Sequence, residues 1–205
     1  MKKNNKYITD FGISEETNRK LKIFSKEIIQ NNLNINLISR KTENDIWNRH
    51  IIDSLQLVNL IPNDFSSFVD MGSGAGLPGI VVKIANESLE ANLVESNKKK
   101  SQFLKNVSKK LEIKTNVFNK RFEEVSELKS KNVLLLSRAL CSLDNLLSMG
   151  LDYFNNGSVG IFHKGISWKK EIKEAQKSWR FHFTPHQSLT NKSSRILLVK
   201  DIIKK

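Results

Sequence analysis

The stretch Phe68-Val69-Asp70-Met71-Gly72-Ser73-Gly74-Ala75-Gly76-Leu77-Pro78-Gly79-Ile80 constrains the fold of this 205-residue chain more than any other. It reads as a buried strand running into a glycine turn and then a helix. Glycines at alternate positions let the backbone turn tightly and approach a ligand where a Cβ would collide, and Pro78 suits the first turn of the helix that follows. A strand, a glycine turn and a helix in that order make a cradle for a nucleotide-like cofactor.

The pattern on either side extends this unit into a fold. Runs at 67–71, 90–95, 114–118, 132–136 and 158–162 read as strands, and helical patterns fill the gaps between them. One such helix covers 98–111, with Phe103, Leu104, Val107 and Leu111 on one face after a Ser96 or Asn97 cap. Repeated βα units imply a mostly parallel sheet with helices on both faces. The runs Phe181–Pro185 and Arg195–Ile202 read as two consecutive strands joined by a polar loop, so the sheet is expected to end in a hairpin and to hold seven strands. Ahead of it, 14–31 carries Leu21, Phe24, Ile28 and Ile29 at helical spacing after Ser14. A second helix opens on Thr42-Glu43-Asn44-Asp45, a capping-box pattern, sets Trp47, Ile51, Leu55 and Val58 on one face, and closes before Pro62. The fold class is thus α/β and Rossmann-like. Residues 1–64 form an N-terminal helical extension packed on a main domain, 65–205.

Composition narrows the partners. Lys and Arg number 34 against 21 acids, a formal net charge of +13 that favours polyanions, although a chain this rich in Lys, Asn and Ile also fits compositional drift. No apolar run reaches the ~20 residues needed to span a bilayer, and the polar start has no signal-peptide core, so no membrane partner and a cytoplasmic location are expected. The single cysteine, Cys141, excludes an internal disulfide and a cysteine-cluster metal site, and no metal ligand set is expected.

The glycine spacing decides between cofactors. A dinucleotide fingerprint would place a glycine where Leu77 stands, so it fails. The pattern acid-x-Gly-x-Gly-x-Gly, with Asp70 at the strand end, resembles motif I of S-adenosylmethionine-dependent methyltransferases. Gly72, Gly74 and Gly76 would then face the amino acid part of that cofactor, with an ordinary turn role as the other reading of Asp70. Glu95 ends the second strand, where a carboxylate can accept both ribose hydroxyls; a strand-end acid or helix cap is the alternative. After the third strand, Phe122 is placed to cover the adenine face and Glu123 to meet its edge, unless Phe122 is a core residue at a helix start.

Some chemistry is missing. The only prolines, Pro62, Pro78 and Pro185, leave no Asn/Asp-Pro-Pro-aromatic clamp for an exocyclic amine. Cys141 lacks the preceding proline and base of a covalent pyrimidine nucleophile and reads as a packing residue. Guanine N7 carries a lone pair and no proton, so its methylation needs alignment and little else. Arg138, just past the fourth strand, is the candidate for positioning a substrate, against a surface ion pair. Arg49 and Asp53 are four apart on one helical face and suited to pair with each other. His50 is either a satisfied core histidine or a substrate contact, and Lys164, after the fifth strand, is placed to meet RNA backbone.

These residues resemble the bacterial 16S rRNA guanine-N7 methyltransferase family, historically named glucose-inhibited division protein B and also methyltransferase G of the small subunit. The markers are Asn36-Leu37-Ile38-Ser39, Arg49-His50-Ile51-Ile52-Asp53-Ser54, the Asp70–Ile80 turn with its Gly76-Leu77-Pro78-Gly79, Leu93-Val94-Glu95-Ser96 followed by Lys99 and Phe103-Leu104, Arg121-Phe122-Glu123-Glu124, and Ser137-Arg138-Ala139. The resemblance implies a class I S-adenosylmethionine-dependent methyltransferase acting on a guanine N7 in the 530 loop of 16S rRNA. It implies cofactor contacts at Gly72, Leu77, Phe122, Glu123 and Arg138, and places Arg49 and His50 on the substrate side. Its partner would be 16S rRNA or a small-subunit precursor, and a monomer is expected. Glu95 departs from the more frequent Asp, and Phe122 stands where a smaller residue is common. The alternatives are a methyltransferase for another substrate, and a non-catalytic RNA-binding or ribosome-assembly factor on the same scaffold.

Overall fold

A computed structural model of the chain describes residues 11–129 and 132–205. Seven strands form one sheet: β1 (Ser67–Met71), β2 (Glu90–Val94), β3 (Thr115–Phe118), β4 (Leu134–Arg138), β5 (Val159–Lys164), β6 (Trp179–Gln187) and β7 (Arg195–Lys204). Their spatial order is β3-β2-β1-β4-β5-β7-β6. β1 to β5 pair in parallel, and β7 inserts antiparallel between β5 and β6, which makes the expected terminal hairpin. β1 is buried along its whole length, and β2 and β4 nearly so, as central parallel strands covered on both faces must be. The chain order reverses between β1 and β4, and the crevice beyond the carboxyl ends of those strands is where ligands of open α/β sheets sit.

α1 (Glu15–Ile35) starts where Ser14 accepts the Thr17 N–H, puts Glu15 and Glu16 in its first turn, and buries Leu21, Phe24 and Ile28. Asn32, buried near its end, exchanges hydrogen bonds with both backbone groups of Ile38 and so turns the chain back. Leu21, Phe24 and Ile28 belong to the same hydrophobic cluster as Ile80, Val81 and Leu104 of the helices that cover one face of the sheet. A second cluster on the other face joins Val69, Leu135 and Phe162 of the sheet to Leu146, Tyr153 and Ile172.

The second helix expected from Thr42 to Pro62 is not continuous. It divides into a 3₁₀ segment (Arg40–Asp45), a π-helical turn (Trp47–Ile52), one α turn, α2 (Asp53–Leu55), and a further 3₁₀ turn (Val58–Leu60). Side-chain donors from elsewhere compete for its carbonyls: Arg138 Nη1 donates to Arg49 O at 3.1 Å and His163 Nε2 to Asp53 O at 2.7 Å. Thr42 does not cap a helix; its hydroxyl bonds Ser39 O and His50 Nε2. The apolar face survives the breaks, with Ile51 and Leu55 buried and Trp47 and Val58 packed against them. A π-helical turn of this kind is frequent beside functional sites.

The remaining helices are α3 (Gly79–Ala85), α4 (Lys98–Lys110), α5 (Leu143–Met149), α6 (Leu151–Asn155) and α7 (Trp168–Ser178). Of the two caps proposed for α4, Asn97 is used, its Oδ1 accepting the Lys99 and Lys100 N–H groups. Pro78 occupies the N-cap of α3, one position ahead of its first turn.

Candidate active site

The loops after β1, β2, β3 and β4 enclose a cleft of about 470 Å³, within the range of a bound cofactor. Gly72, Gly74, Leu77, Glu95, Phe122, Glu123 and Arg138 line it. Gly74, at φ 56°, is the position that needs an approach without a side chain. A Cβ there would meet no protein atom closer than 3.9 Å and would project into the cleft. Glu95, 8% exposed, accepts the Gly74 N–H on Oε2 at 2.8 Å and the Asn97 N–H on Oε1 at 2.7 Å. Its carboxyl therefore shapes the turn as well as facing the cleft, and each oxygen keeps a lone pair for a hydroxyl donor. The ring of Phe122 stacks on Tyr153 with centroids 5.2 Å apart, so it is both a core residue and a wall.

Two residues expected at the cofactor lie off the wall. Asp70 has no exposed surface; its Oδ2 accepts the Gly79 N–H at 3.0 Å and its Oδ1 has no partner. Burial pushes its carboxyl up to about 7, with the Gly79 bond working against that rise. Asp70 thus holds the start of α3 under the turn. Gly76 is a packing glycine, since a Cβ there would stand 2.5 Å from Ile80 Cγ1.

A second cavity, about 310 Å³, adjoins the first, and Arg138 and Ala139 line both. Arg49, His50, Asp53, His163 and Lys164 contribute to it. Arg138 Nη2 donates to His50 Nδ1 at 2.8 Å, and Nη1 lies 3.3 Å from Asp53 Oδ2. The Arg49–Asp53 pair that the spacing allows does not form: Asp53 is taken by Arg138, Thr190 and Gln56, and Arg49 is exposed. With Nδ1 accepting from a guanidinium, the His50 proton sits on Nε2 and is donated to Thr42 Oγ1 at 2.8 Å. Burial and the Arg138 charge push the His50 pKa down to about 4, so it is neutral at physiological pH. Lys164 is turned inward: Nζ donates to Cys141 O at 2.8 Å and pairs with Glu171 at 2.9 Å, so its ammonium supports the wall rather than reaching a phosphate. Cys141 lines the cofactor cleft half-buried, and burial pushes its thiol up, away from the thiolate a nucleophile needs.

The cleft at the strand-order switch, the open-faced Gly74 and the acid just after β2 are the parts a nucleoside-bearing cofactor requires. The model of one family, rRNA small subunit methyltransferase G, matches residues 17–198. The chain belongs to this family. A relative in Ruegeria sp. (strain TM1040), named ribosomal RNA small subunit methyltransferase G, is 38% identical over 198 residues, covering 94% of this chain and 95% of its own. One of the same name in Rickettsia rickettsii (strain Sheila Smith) is 37% identical over 195 residues, covering 94% and 98%. Solved structures share the fold at low identity. In a fibrillarin/Nop5p complex the match has a TM-score of 0.55 at 8% identity, covering 75% of this chain and 81% of that one. M. jannaschii TYW2 in complex with AdoMet gives 0.51 at 13%, covering 76% of each. As a member of the methyltransferase G family, the chain is an S-adenosylmethionine-dependent enzyme.

Sequence reasoning missed Leu140, which lines the cleft and would touch a Cβ on Gly72 at 2.6 Å, and His163 and Thr190, which meet Asp53. Asp53 itself had a signal, its place in the Arg49–Ser54 marker. The other three stand on loops or strand ends whose neighbours no local pattern reveals.

Proposed function

We propose that the chain transfers the methyl of S-adenosylmethionine to N7 of a guanine in the 530 loop of 16S rRNA. The observation that carries this reading is the junction of the two cavities at Arg138 and Ala139, where the nearest titratable side chains from the Arg49–Ser54 marker and the loop after β4 are already engaged or held neutral. His50 is neutral with both ring nitrogens engaged, Asp53 is spent on hydrogen bonds, and Cys141 is held as a thiol. A group that must lose a proton to accept a methyl would find no free base among these three; His163 keeps a bare Nδ1, but that atom is buried, and N7 has no proton to lose. Bound S-adenosylmethionine supplies an electrophilic methyl on a sulfonium.

The chain's own residues then bind and orient. Gly74 leaves room at the turn, Glu95 offers lone pairs to ribose hydroxyls, Phe122 walls the adenine side with Glu123 at its edge, and Arg138 orients the groups that meet at the junction. Arg49, exposed at the rim of the second cavity, supplies a cation for the RNA backbone, and Lys100 in the first turn of α4 lines the cofactor cleft, with Lys98 and Lys99 exposed beside it in sequence. Of the extension 1–64, residues 1–10 lie outside the described residues; the remainder packs onto the domain 65–205, and its Arg49, His50 and Asp53 complete the second cavity. The protein works as a monomer on 16S rRNA or a small-subunit precursor in the cytoplasm; among the described residues no helix is long and apolar enough to cross a membrane.

Incubation with labelled cofactor and unmethylated 16S rRNA, naked and in subunit precursors, tests the reading. Label is expected on one guanine N7 of the 530 loop. Label elsewhere, or none, overturns it.

A further inference from the structure

Arg138 has five N–H donors and reaches both cavities, so the lie of its guanidinium plane governs what each can bind. Three donors are spent on the N-terminal segment, on Arg49 O, Asp53 Oδ2 and His50 Nδ1. The Nε–H and the second Nη2 hydrogen meet no partner among the described residues and stay free for a ligand.

Of the three acceptors Asp53 alone carries a charge, and it has other engagements. Its Oδ1 accepts the Thr190 hydroxyl at 2.6 Å and Gln56 Nε2 at 2.9 Å. Gln56 Oε1 accepts the Leu189 N–H at 2.9 Å. Leu189 and Thr190 lie on the loop joining β6 to β7, which lines the second cavity through Ser188, Thr190, Asn191 and Ser194. One carboxylate therefore fastens that loop to the guanidinium. Its two oxygens turn together about one bond, so a shift of the hydroxyl on Oδ1 moves Oδ2 under Arg138.

We propose that Asp53 is a positioning residue, setting the plane of Arg138 against the cofactor, and that Thr190 makes this setting depend on the seating of the β6–β7 loop. RNA docked on the loop is then felt at the cofactor. The Asp53–Arg138 pair is well placed for such a role, with 17% and 16% of the side chains exposed, because a largely buried pair is sensitive to the loss of either partner. The inference rests on the reading above in which Arg138 faces the cofactor.

A double-mutant cycle on the full chain tests it, with the dissociation constant of S-adenosylmethionine measured by calorimetry and kcat and KM measured on 16S rRNA. Arg138→Ala is expected to weaken cofactor binding ~10- to 100-fold. Asp53→Asn should weaken it about tenfold in the parent and less than twofold when Arg138→Ala is already present, since its effect passes through the guanidinium. Thr190→Val, which leaves the ion pair in place, should cost ~3-fold and lose that effect in the same background. Equal losses with and without Arg138 would mean a general structural role and overturn the proposal, as would unchanged affinity in both Asp53→Asn and Thr190→Val. Unchanged affinity in Arg138→Ala would instead refute the placement of Arg138 at the cofactor, and the proposal with it.

Discussion

The cofactor cleft takes its most demanding wall from one short run, Gly72 to Leu77, whereas the second cavity is held by hydrogen bonds that span 85 to 137 residues of sequence. In the first, backbone conformation makes the space: left-handed glycines, a carboxylate bonded to an N–H of the turn, and a buried aspartate beneath it. In the second, side chains from the N-terminal segment, β4, β5 and the β6–β7 loop make both the space and the polarity. A backbone-built site tolerates little change at a few positions. A site built from side chains spreads its tolerance, and each member is worth about one hydrogen bond.

The two regions also respond to acid in opposite senses, and this gives the largest expected effect. The Asp70 carboxyl is raised by burial to about 7 from a reference of 3.8, so the folded state holds a proton that the unfolded chain has released. Its contribution to stability falls as pH rises from about 4 to about 7, by up to ~4 kcal/mol. His50 is lowered to about 4 from 6.5, so stability falls instead as pH drops through that interval, when the unfolded chain takes a proton that the folded imidazole refuses. Urea unfolding at a series of pH values separates them. Asp70→Asn should gain on the parent as pH rises, and His50→Gln should gain on it as pH falls. Parallel pH profiles for parent and variants would break the contrast.

Gly74→Leu should come next. The substitution adds a side chain whose Cβ meets no protein atom closer than 3.9 Å and which extends from a residue lining the cleft, at a backbone angle unfavourable to any Cβ. Cofactor affinity should fall more than ~100-fold, while the strain of ~1–3 kcal/mol leaves the chain folded. Calorimetry and thermal unfolding read the two effects apart. Normal cofactor binding in this variant would show that the turn does not face the ligand.

For the second cavity the corresponding change is Arg49→Ala. Its side chain is exposed and lines the cavity that adjoins the cofactor cleft. Cofactor affinity should stay within about twofold, KM for rRNA should rise ~10-fold, and the salt slope of RNA binding should drop by about one. A loss of cofactor binding would erase the division of labour between the cavities.

The same difference in construction explains what could be read without a structure. The five parallel strands and α4 were legible within a residue or two at most of their ends, because runs of apolar residues and a helical stripe carry their own period. The placement of Gly72, Gly74 and Glu95 on one cleft followed from chain-local rules about turns and strand ends, and that of Leu77 from the family resemblance. The broken segment from Arg40 to Leu60 was not legible. Its sequence keeps a helical stripe and a capping box, while the donors that pull its carbonyls away, Arg138 and His163, lie far along the chain. The inward turn of Lys164 was hidden for the same reason, since its partner Glu171 belongs to a different element. Asp70 is placed at the cofactor by the acid-x-Gly-x-Gly-x-Gly pattern, which does not say where the carboxyl points; here Gly79 packs so close that a Cβ on it would stand 2.5 Å from the carboxylate.

The smallest expected effect examines the finest point of the second cavity, the proton on His50. Arg138 Nη2 can donate to Nδ1 only if that nitrogen is bare, which requires the proton on Nε2 and an acceptor for it. Thr42 Oγ1 is that acceptor, and its own hydrogen passes to Ser39 O at 2.8 Å, so the chain of donors runs one way from the guanidinium to the backbone. Thr42→Val keeps the shape and removes the acceptor. The Nε2–H is left buried and unpaired at a cost of ~1 kcal/mol, and the other tautomer, which would relieve it, points a hydrogen at Arg138. Neither state holds the guanidinium as the parent does, so thermal stability should fall by a few degrees and cofactor affinity by ~2- to 3-fold. The signature in nitrogen NMR is a shift of His50 from a single Nε2-protonated form towards a mixture. An unchanged tautomer in Thr42→Val would show that Arg138 alone sets the ring, and that this cavity needs fewer of its distant contacts than its hydrogen bonds suggest.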